Sequence, residues 1–238
     1  MVEILKLKNL SKSFGAVTVT DQLNCSLKNG EALGVIGPNG AGKTSMFNLI
    51  TGTLKPDSGQ IFFAGDDITR SNAAKRSRSG IARSFQVPQP FSGLSVFENA
   101  MVAATQSAGL YGKKAEQHCL SILNQTELLP KANILAGSLT LLELKRLELT
   151  RALCTRPKLL LLDEIAGGLT DDECTSLINT IKNIHKSGVS IIWIEHVVQA
   201  LFSVVDRLMV INFGKKIAEG NPESIIKSRE VQEIYLGI

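Results

Sequence analysis

The sequence predicts an α/β fold in which a helical block is inserted between two blocks of alternating strand and helix. Three observations carry this. The stretch GPNGAGKT, residues 37–44, stands between an apolar strand and the start of a helix. Residues 159–163, LLLLD, are an unbroken apolar run, as expected of a parallel strand covered on both faces. From Val87 to about Leu153 strand signals fade and helical stretches dominate, punctuated by Pro88, Pro90, Gly93, Gly109 and Gly112.

Taken in order, the first thirty residues alternate (Val2, Ile4, Lys6) and read as short strands with a turn at SKSFG; GQIFFAGDDI, residues 59–68, reads likewise. EALGVIGPNGAGKTSMFNLITG reads as strand, glycine loop and helix, stopped by Gly52. DDECTSLINTIKNIHKSG begins with acids, repeats apolar residues at 177, 178, 181 and 184, and ends at Gly188, which marks an amphipathic helix. VSIIWIE is a further buried strand, and DRLMVINFGKKIAEG a strand pair turning at Phe213-Gly214. The chain is thus expected to be one domain, residues 1–238, with a core at about 1–86 and 155–238 and a helical subdomain at about 87–154.

The 238 residues suffice for such a domain, and 44% hydrophobic with 20% charged residues is a globular balance. A net charge of +4 with no concentrated basic face argues against nucleic acid as a partner. The densest basic run, Lys75-Arg76-Ser77-Arg78, reads first as a solvated helix face or loop and second as a site for an anionic partner. Cys25, Cys119, Cys154 and Cys174 have no metal-ligand spacing and read as reduced thiols of a cytoplasmic protein. The N-terminus lacks the apolar core of a signal peptide. Residues 189–213 are broken by Glu195, His196, Asp206 and Arg207, so any membrane role is expected to run through partners.

The chemistry centres on Gly37, Pro38, Asn39, Gly40, Ala41, Gly42, Lys43 and Thr44, with Ser45 following on the helix. Glycines let backbone N–H groups and the helix N-terminus wrap a polyphosphate. Lys43 brings positive charge to the terminal phosphates, and the Thr44 hydroxyl is placed to ligate Mg²⁺. Asp163 closes a buried strand where a carboxylate can hold the magnesium shell, and Glu164 can orient or deprotonate the attacking water. His196 follows the strand IIWIE, a position suited to sensing phosphate at the carboxyl end of a parallel sheet. Gln86, after IARSF, can reach the metal or the water. Phe14 reads equally as a purine platform or a core-edge ring. His118 and His185 read as ordinary surface or core histidines.

In their order (Phe14, GPNGAGKT, Gln86, a helical block, LTLLELKRLELTRAL, LLLLDE, GGLTDDE, His196) these pieces resemble the ATP-binding subunit of ABC transporters over essentially the whole chain. The resemblance implies a P-loop NTPase, RecA-like core with an antiparallel β subdomain and an inserted α-helical subdomain. It implies ATP and Mg²⁺ as cofactors, Phe14 in the adenine-stacking loop, and Gly37–Thr44 as Walker A. It further implies Gln86 as the Q-loop residue and metal contact, Asp163 and Glu164 as Walker B aspartate and catalytic glutamate, Gly167–Asp171 as the D-loop, and His196 as the switch histidine. The fragments KRLEL.RAL, LLLLDE.AGGLT, IEHV, GKKIAEGNPE and the closing IYLG are similar to the branched-chain amino acid branch, with parts shared by urea and amide uptake systems.

The sequence departs from the family at three places. Ile165 stands where proline usually follows the glutamate, and Thr170 where the D-loop usually has Asp or Asn. In the signature turn, Thr140 aligns with the usual serine, Leu142 with the second glycine, and Leu144 with a common glutamine. TLLE reads as a capping box with Thr140 as N-cap and Glu143 at the third helical position, so the helix dipole is retained. Thr140 is therefore expected to meet a γ-phosphate across a subunit interface, with weaker contacts than a glycine turn makes.

The expected function is the ATP-hydrolysing subunit of a membrane importer for branched-chain or related amino acids. Its implied partners are a second ATP-binding subunit in a homo- or heterodimer, transmembrane permease subunits and, indirectly, a substrate-binding protein. It would sit in the cytoplasm, peripheral on the inner face of the cell membrane. The alternatives are a soluble ABC-type ATPase and a nucleotide-dependent regulator of low turnover.

Overall fold

A computed structural model describes residues 2–236 of the chain; Gly237 of the closing IYLG lies outside them. Among the described residues ten strands build two sheets. β1 (Glu3–Phe14), β2 (Val17–Lys28), β4 (Ser58–Phe63) and β5 (Asp66–Asp67) form an antiparallel sheet of order β2-β1-β4-β5. β3 (Ala32–Ile36), β6 (Ile81–Arg83), β7 (Leu159–Asp163), β8 (Ser190–Ile194), β9 (Arg207–Asn212) and β10 (Lys215–Gly220) form the second, of order β10-β9-β3-β8-β7-β6. All its pairings are parallel except β10 on β9, the hairpin turned at Phe213-Gly214.

The opening strands are not short. β1 and β2 each run 12 residues, and β1 continues through SKSF, so the turn falls at Gly15-Ala16. Alternation read along the chain is interrupted because register shifts flank Asn9, whose φ is 47°. Such irregularities displace the side-chain pattern by a residue and make one long strand look like two.

The central parallel strands are buried throughout, and their period of two divides the core. Leu33, Val35, Leu159, Leu161, Ile192 and Ile194 face the antiparallel sheet and helix α1 (Lys43–Thr51). Ile36, Leu160, Leu162, Ile191, Trp193, Leu208 and Val210 face the opposite side, which is covered by α5 (Leu141–Cys154), α6 (Asp171–Lys186) and α7 (Val198–Phe202). The remaining helices are α2 (Ala73–Ser79), α3 (Val96–Gln106), α4 (Gly112–Gln125), α8 (Pro222–Ile226) and α9 (Arg229–Leu236).

Helices α3, α4 and α5 pack on one another through Val96, Leu123, Leu128, Ala136 and Leu147, and through Ala100, Ala104, Cys119 and Cys154. α5 also buries Leu149, Ala152 and Leu153 against the parallel sheet, so one helix belongs to both bodies. Side chains on α5 can therefore reach the carboxyl ends of β6 and β7.

The basic run is only partly solvated. Arg76 is buried, and its guanidinium donates to the carbonyls of Leu49, Ile50, Thr69 and Ser71. Two of these carbonyls lie in the last turn of α1, where C=O groups have no intrahelical partner, so Arg76 acts as that helix's C-terminal cap. Composition along the run cannot show this, because two of the acceptors come from another helix and two from the segment that precedes α2. Among the described residues all four cysteines are free, with Cys174 the least buried, and no helix is long and apolar enough to cross a membrane.

Candidate nucleotide site

The glycine loop leaves β3, passes under the β9–β10 hairpin and enters α1. Two glycines are dictated by close approach. A Cβ on Gly37 would lie 2.1 Å from the Ile211 carbonyl oxygen, and one on Gly42 would lie 2.2 Å from that of Val19. Gly42 also has φ 104°, in the left-handed region, so any side chain there is excluded twice. The hairpin holds the loop from behind, with Gly214 N–H donating to Ala41 O at 2.9 Å.

The N-terminus of α1 is open. Helices α3, α5 and α6 each close theirs with a capping box, Ser95 with Glu98, Thr140 with Glu143 and Thr170 with Glu173. α1 has no side-chain cap and no acid in its first turn, which carries Lys43, Thr44 and Ser45 instead. Free N–H groups and the positive end of the helix dipole make such a turn an anion site.

A cleft of about 550 Å³ opens in front of this turn, lined by Val19, Asn39 to Ser45, Gln86, Glu164 and His196. That size suits a nucleotide-sized ligand. A larger hollow of about 720 Å³ on the antiparallel sheet, beside Gln60, Asp67, Arg70 and Lys75, gathers opposite charges at exposed positions and has no comparable nest of N–H groups.

Lys43 is buried, its ammonium donating to Gly37 O at 2.7 Å and Pro38 O at 3.1 Å. Burial pulls its pKa below the ordinary lysine value, while Glu164 and Asp163 act in the opposite direction. Glu164 lies at the far wall, with Gln86 Nε2 donating to its Oε2 at 2.6 Å and His196 Nε2 at 2.9 Å from its Oε1. Gln86 and His196, singled out separately in the sequence, thus converge on the carboxylate of Glu164. Glu164 has φ 45°, an uncommon conformation for a residue with a side chain.

Asp163 is buried beside Arg83, whose Nη2 donates to its Oδ2 at 2.6 Å, while Arg83 Nη1 donates to Asn48 Oδ1 at 2.6 Å. The guanidinium lies 5.5 Å from the Phe47 ring centre and 5.1 Å from that of Phe85. Removing one partner of a buried ion pair strands the other charge, at a cost of about 3–5 kcal/mol. Arg83→Met is therefore expected to lower unfolding stability by about 3 kcal/mol or more, read by urea denaturation. A loss below about 1 kcal/mol, the range of an exposed pair, would show that the pair carries little weight.

Phe14 does not line the cleft. It pairs with Val17 at the turn end of the β1–β2 hairpin, 54% exposed, with Lys12 Nζ 5.4 Å from its ring centre. Val19, two residues along the same hairpin as Val17, does reach the cleft.

Thr140 also lies outside it. Its hydroxyl accepts from Glu143 N–H, its own N–H donates to Glu143 Oε2 at 2.9 Å, and Lys131 pairs with Glu143 at 3.2 Å. Leu142 packs toward the sheet-side core and Leu144 into the helical block, while Leu141 is 42% exposed. His185 bonds Gly30 O at 2.9 Å, as an ordinary satisfied histidine does.

Sequence reasoning missed Arg83, Lys145 and Glu195. Lys145 is buried, its Nζ donating to Gln86 O at 2.5 Å and approaching Glu164 O at 3.4 Å. Glu195 is buried and accepts from the Ala166 and His196 amides. For Arg83 and Glu195 the one signal available was a charged residue at the end of an apolar run, which is common at strand ends, and Lys145 lies among the charges of a helix with no such mark. Among the described residues no cluster of three or more His, Cys, Asp or Glu side chains is placed to hold a metal unaided.

Comparison with known proteins agrees with this geometry. The family described as ABC transporter matches residues 20–167. The probable branched-chain amino acid transport ATP-binding protein LivG of Archaeoglobus fulgidus is 33% identical over 251 aligned positions, covering 99% of this chain and 96% of that protein. The lipopolysaccharide export system ATP-binding protein LptB of Escherichia coli is 30% identical, covering 98% and 97%. A solved ADP conformation of an ATP-binding cassette of an ABC transporter superposes with TM-score 0.91 at 30% identity, covering all of both chains.

Proposed function

The chain belongs to the ABC transporter family as an ATP-binding, ATP-hydrolysing subunit, and from that premise we propose that it powers a membrane importer of branched-chain or related amino acids. The observation that carries the hydrolytic part is the cleft itself, where an uncapped helix start with Lys43 faces Glu164, Gln86 and His196.

In this reading the N–H groups of Gly40 to Ser45 and the Lys43 ammonium hold the phosphates. Lys43 rests on the carbonyls of its own loop and turns to the nucleotide when it arrives. Thr44, Asp163 and Gln86 offer hard oxygen donors, a set that fits Mg²⁺ only if phosphate oxygens and water complete the shell. The ion when bound neutralises charge on the terminal phosphates.

Glu164 takes the proton of the attacking water. Gln86 and His196 each take one lone pair, one on each oxygen, which orients the carboxylate and leaves a second lone pair on each oxygen for a water. Phe14, at the tip of the hairpin that also carries Val19, supplies a face for the adenine ring.

Thr140 of one subunit approaches the nucleotide of a second with its hydroxyl hydrogen free to donate, and Leu142 in place of glycine makes the contact of the turn weak. Permease subunits carry the substrate across the membrane, and this chain docks on their cytoplasmic side.

The substrate is inferred from the branched-chain relatives, and the likeness to LptB favours lipid export as the second reading. Membrane vesicles carrying the chain and its co-purifying permeases are expected to take up labelled leucine when ATP is supplied on the cytoplasmic face. ATP-driven extraction of lipid with no leucine uptake would establish the second reading instead. Co-purification with ribosomes and no permease would overturn both.

A further inference from the structure

Glu195 is a buried acidic side chain next to His196 that the reading above leaves without a task. It follows β8 directly, is 2% exposed, and its oxygens meet two different segments. Oε1 accepts from the Ala166 amide at 2.9 Å, in the loop that leaves β7 through Glu164. Oε2 accepts from the His196 amide at 3.0 Å, and Val197 N–H adds a further contact.

A buried carboxylate survives only when hydrogen bonds replace its water. Here the donors are main-chain N–H groups from the loops after both strands. Burial still pushes its carboxyl above the usual range, with the three amides acting in the opposite direction.

The backbone that Glu195 grips is the backbone that carries the chemistry. Glu164 sits at φ 45°, its N–H bonded to Ile194 O at 2.9 Å, so the sheet continues to that point and then turns sharply. Two residues later Ala166 is caught by Glu195, which closes the turn. A strained conformation persists only where its surroundings over-determine it. On the other side of the same turn, Glu164 Oε1 and His196 Nε2 stand 2.9 Å apart. Lys145 from α5 braces the same place through Gln86 O and Glu164 O.

The geometry points to Glu195 as a positioning residue for ATP hydrolysis: its carboxylate staples the loop bearing Glu164 to the loop bearing His196 and sets the spacing of the two side chains. The inference rests on Glu164 and His196 being the hydrolytic pair. Glu195 itself lines no part of the cleft and has no part in binding nucleotide.

The test compares Glu195→Gln with wild type in the protein purified with its partner subunits. Glutamine keeps the shape but places an amide NH₂ against a main-chain N–H, which opens the staple. A displacement of about 1 Å at a reacting group costs on the order of a hundredfold in rate. The expected result is a fall in kcat of about ten- to a hundredfold, with KM for ATP and the affinity for a fluorescent ATP analogue unchanged. A kcat within twofold of wild type, or an equal loss of nucleotide affinity, overturns the inference.

A second arm uses Glu164→Gln as background. If Glu195 acts only through the pair, adding Glu195→Gln there lowers the residual rate no further, whereas a full second loss would assign it a general structural role. Glu164→Gln alone tests the underlying reading: if it leaves turnover intact, both fall, and if it stops turnover while Glu195→Gln does not, only the staple falls. Hydrogen exchange on the wild-type chain needs no variant. The Ala166 and His196 amides are expected to exchange as slowly as strand amides, and exchange at loop rates would overturn the staple.

Discussion

Lys43→Ala is expected to abolish measurable ATP turnover while leaving the fold intact. Lys43 is the first residue of α1, and its ammonium lies in the cleft with no carboxylate partner, bonded to two carbonyls of the loop it serves. Its pKa is pulled down chiefly by burial, so the folded chain holds this charge at a cost. Truncation removes that cost along with two hydrogen bonds to neutral acceptors, and the net change in stability should stay within about 1 kcal/mol.

The functional loss is of another order. A charge-assisted contact to phosphate is worth about 1.5–3 kcal/mol in binding, or roughly ten- to a hundredfold in affinity. Its further strengthening as charge develops on the leaving phosphate adds about a hundred- to a thousandfold in kcat. Nucleotide titration, steady-state hydrolysis and thermal unfolding separate these effects. Turnover within tenfold of wild type would mean that the phosphates bind elsewhere.

Glu164→Gln is expected to divide binding from chemistry. The amide keeps the volume and one acceptor for Gln86 or His196, so the cleft and its nucleotide affinity should persist. What disappears is the base, worth about a hundred- to ten-thousandfold in rate. A nucleotide-bound, closed pair of subunits should then accumulate, visible as an ATP-dependent shift in size-exclusion chromatography. Unaltered kcat would exclude Glu164 as the base.

The same substitution probes the signature turn. In a heterodimer, this chain's cleft is completed by the partner's turn, and the partner's cleft by the Thr140 turn, where Leu142 stands in place of glycine. Glu164→Gln here should therefore cost more turnover than the matching change in the partner. Equal losses would count against the asymmetry.

Much of this architecture was legible in residue order because its signals are local. A glycine loop between strand and helix, an apolar run ending in Asp163-Glu164, and Thr140 three positions before Glu143 each describe a few consecutive residues. Hydrogen bonding within one turn or burial of one strand makes them what they are. The opening strands were misjudged in length because a register shift breaks alternation without ending the strand. Arg76 was misjudged because its four carbonyl acceptors come from segments that sequence periodicity does not connect.

The sequence by itself therefore determined the fold class, and it marked the glycine loop and Glu164, which the fold brings to one cleft. Tertiary structure alone decided what surrounds them: Arg83 on Asp163, Lys145 on the Gln86 carbonyl, and Glu195 on the Ala166 and His196 amides. The physical reason is the same in each case. A buried charge becomes tolerable only through partners brought to it by folding, and those partners lie 80, 59 and up to 29 residues away in the chain.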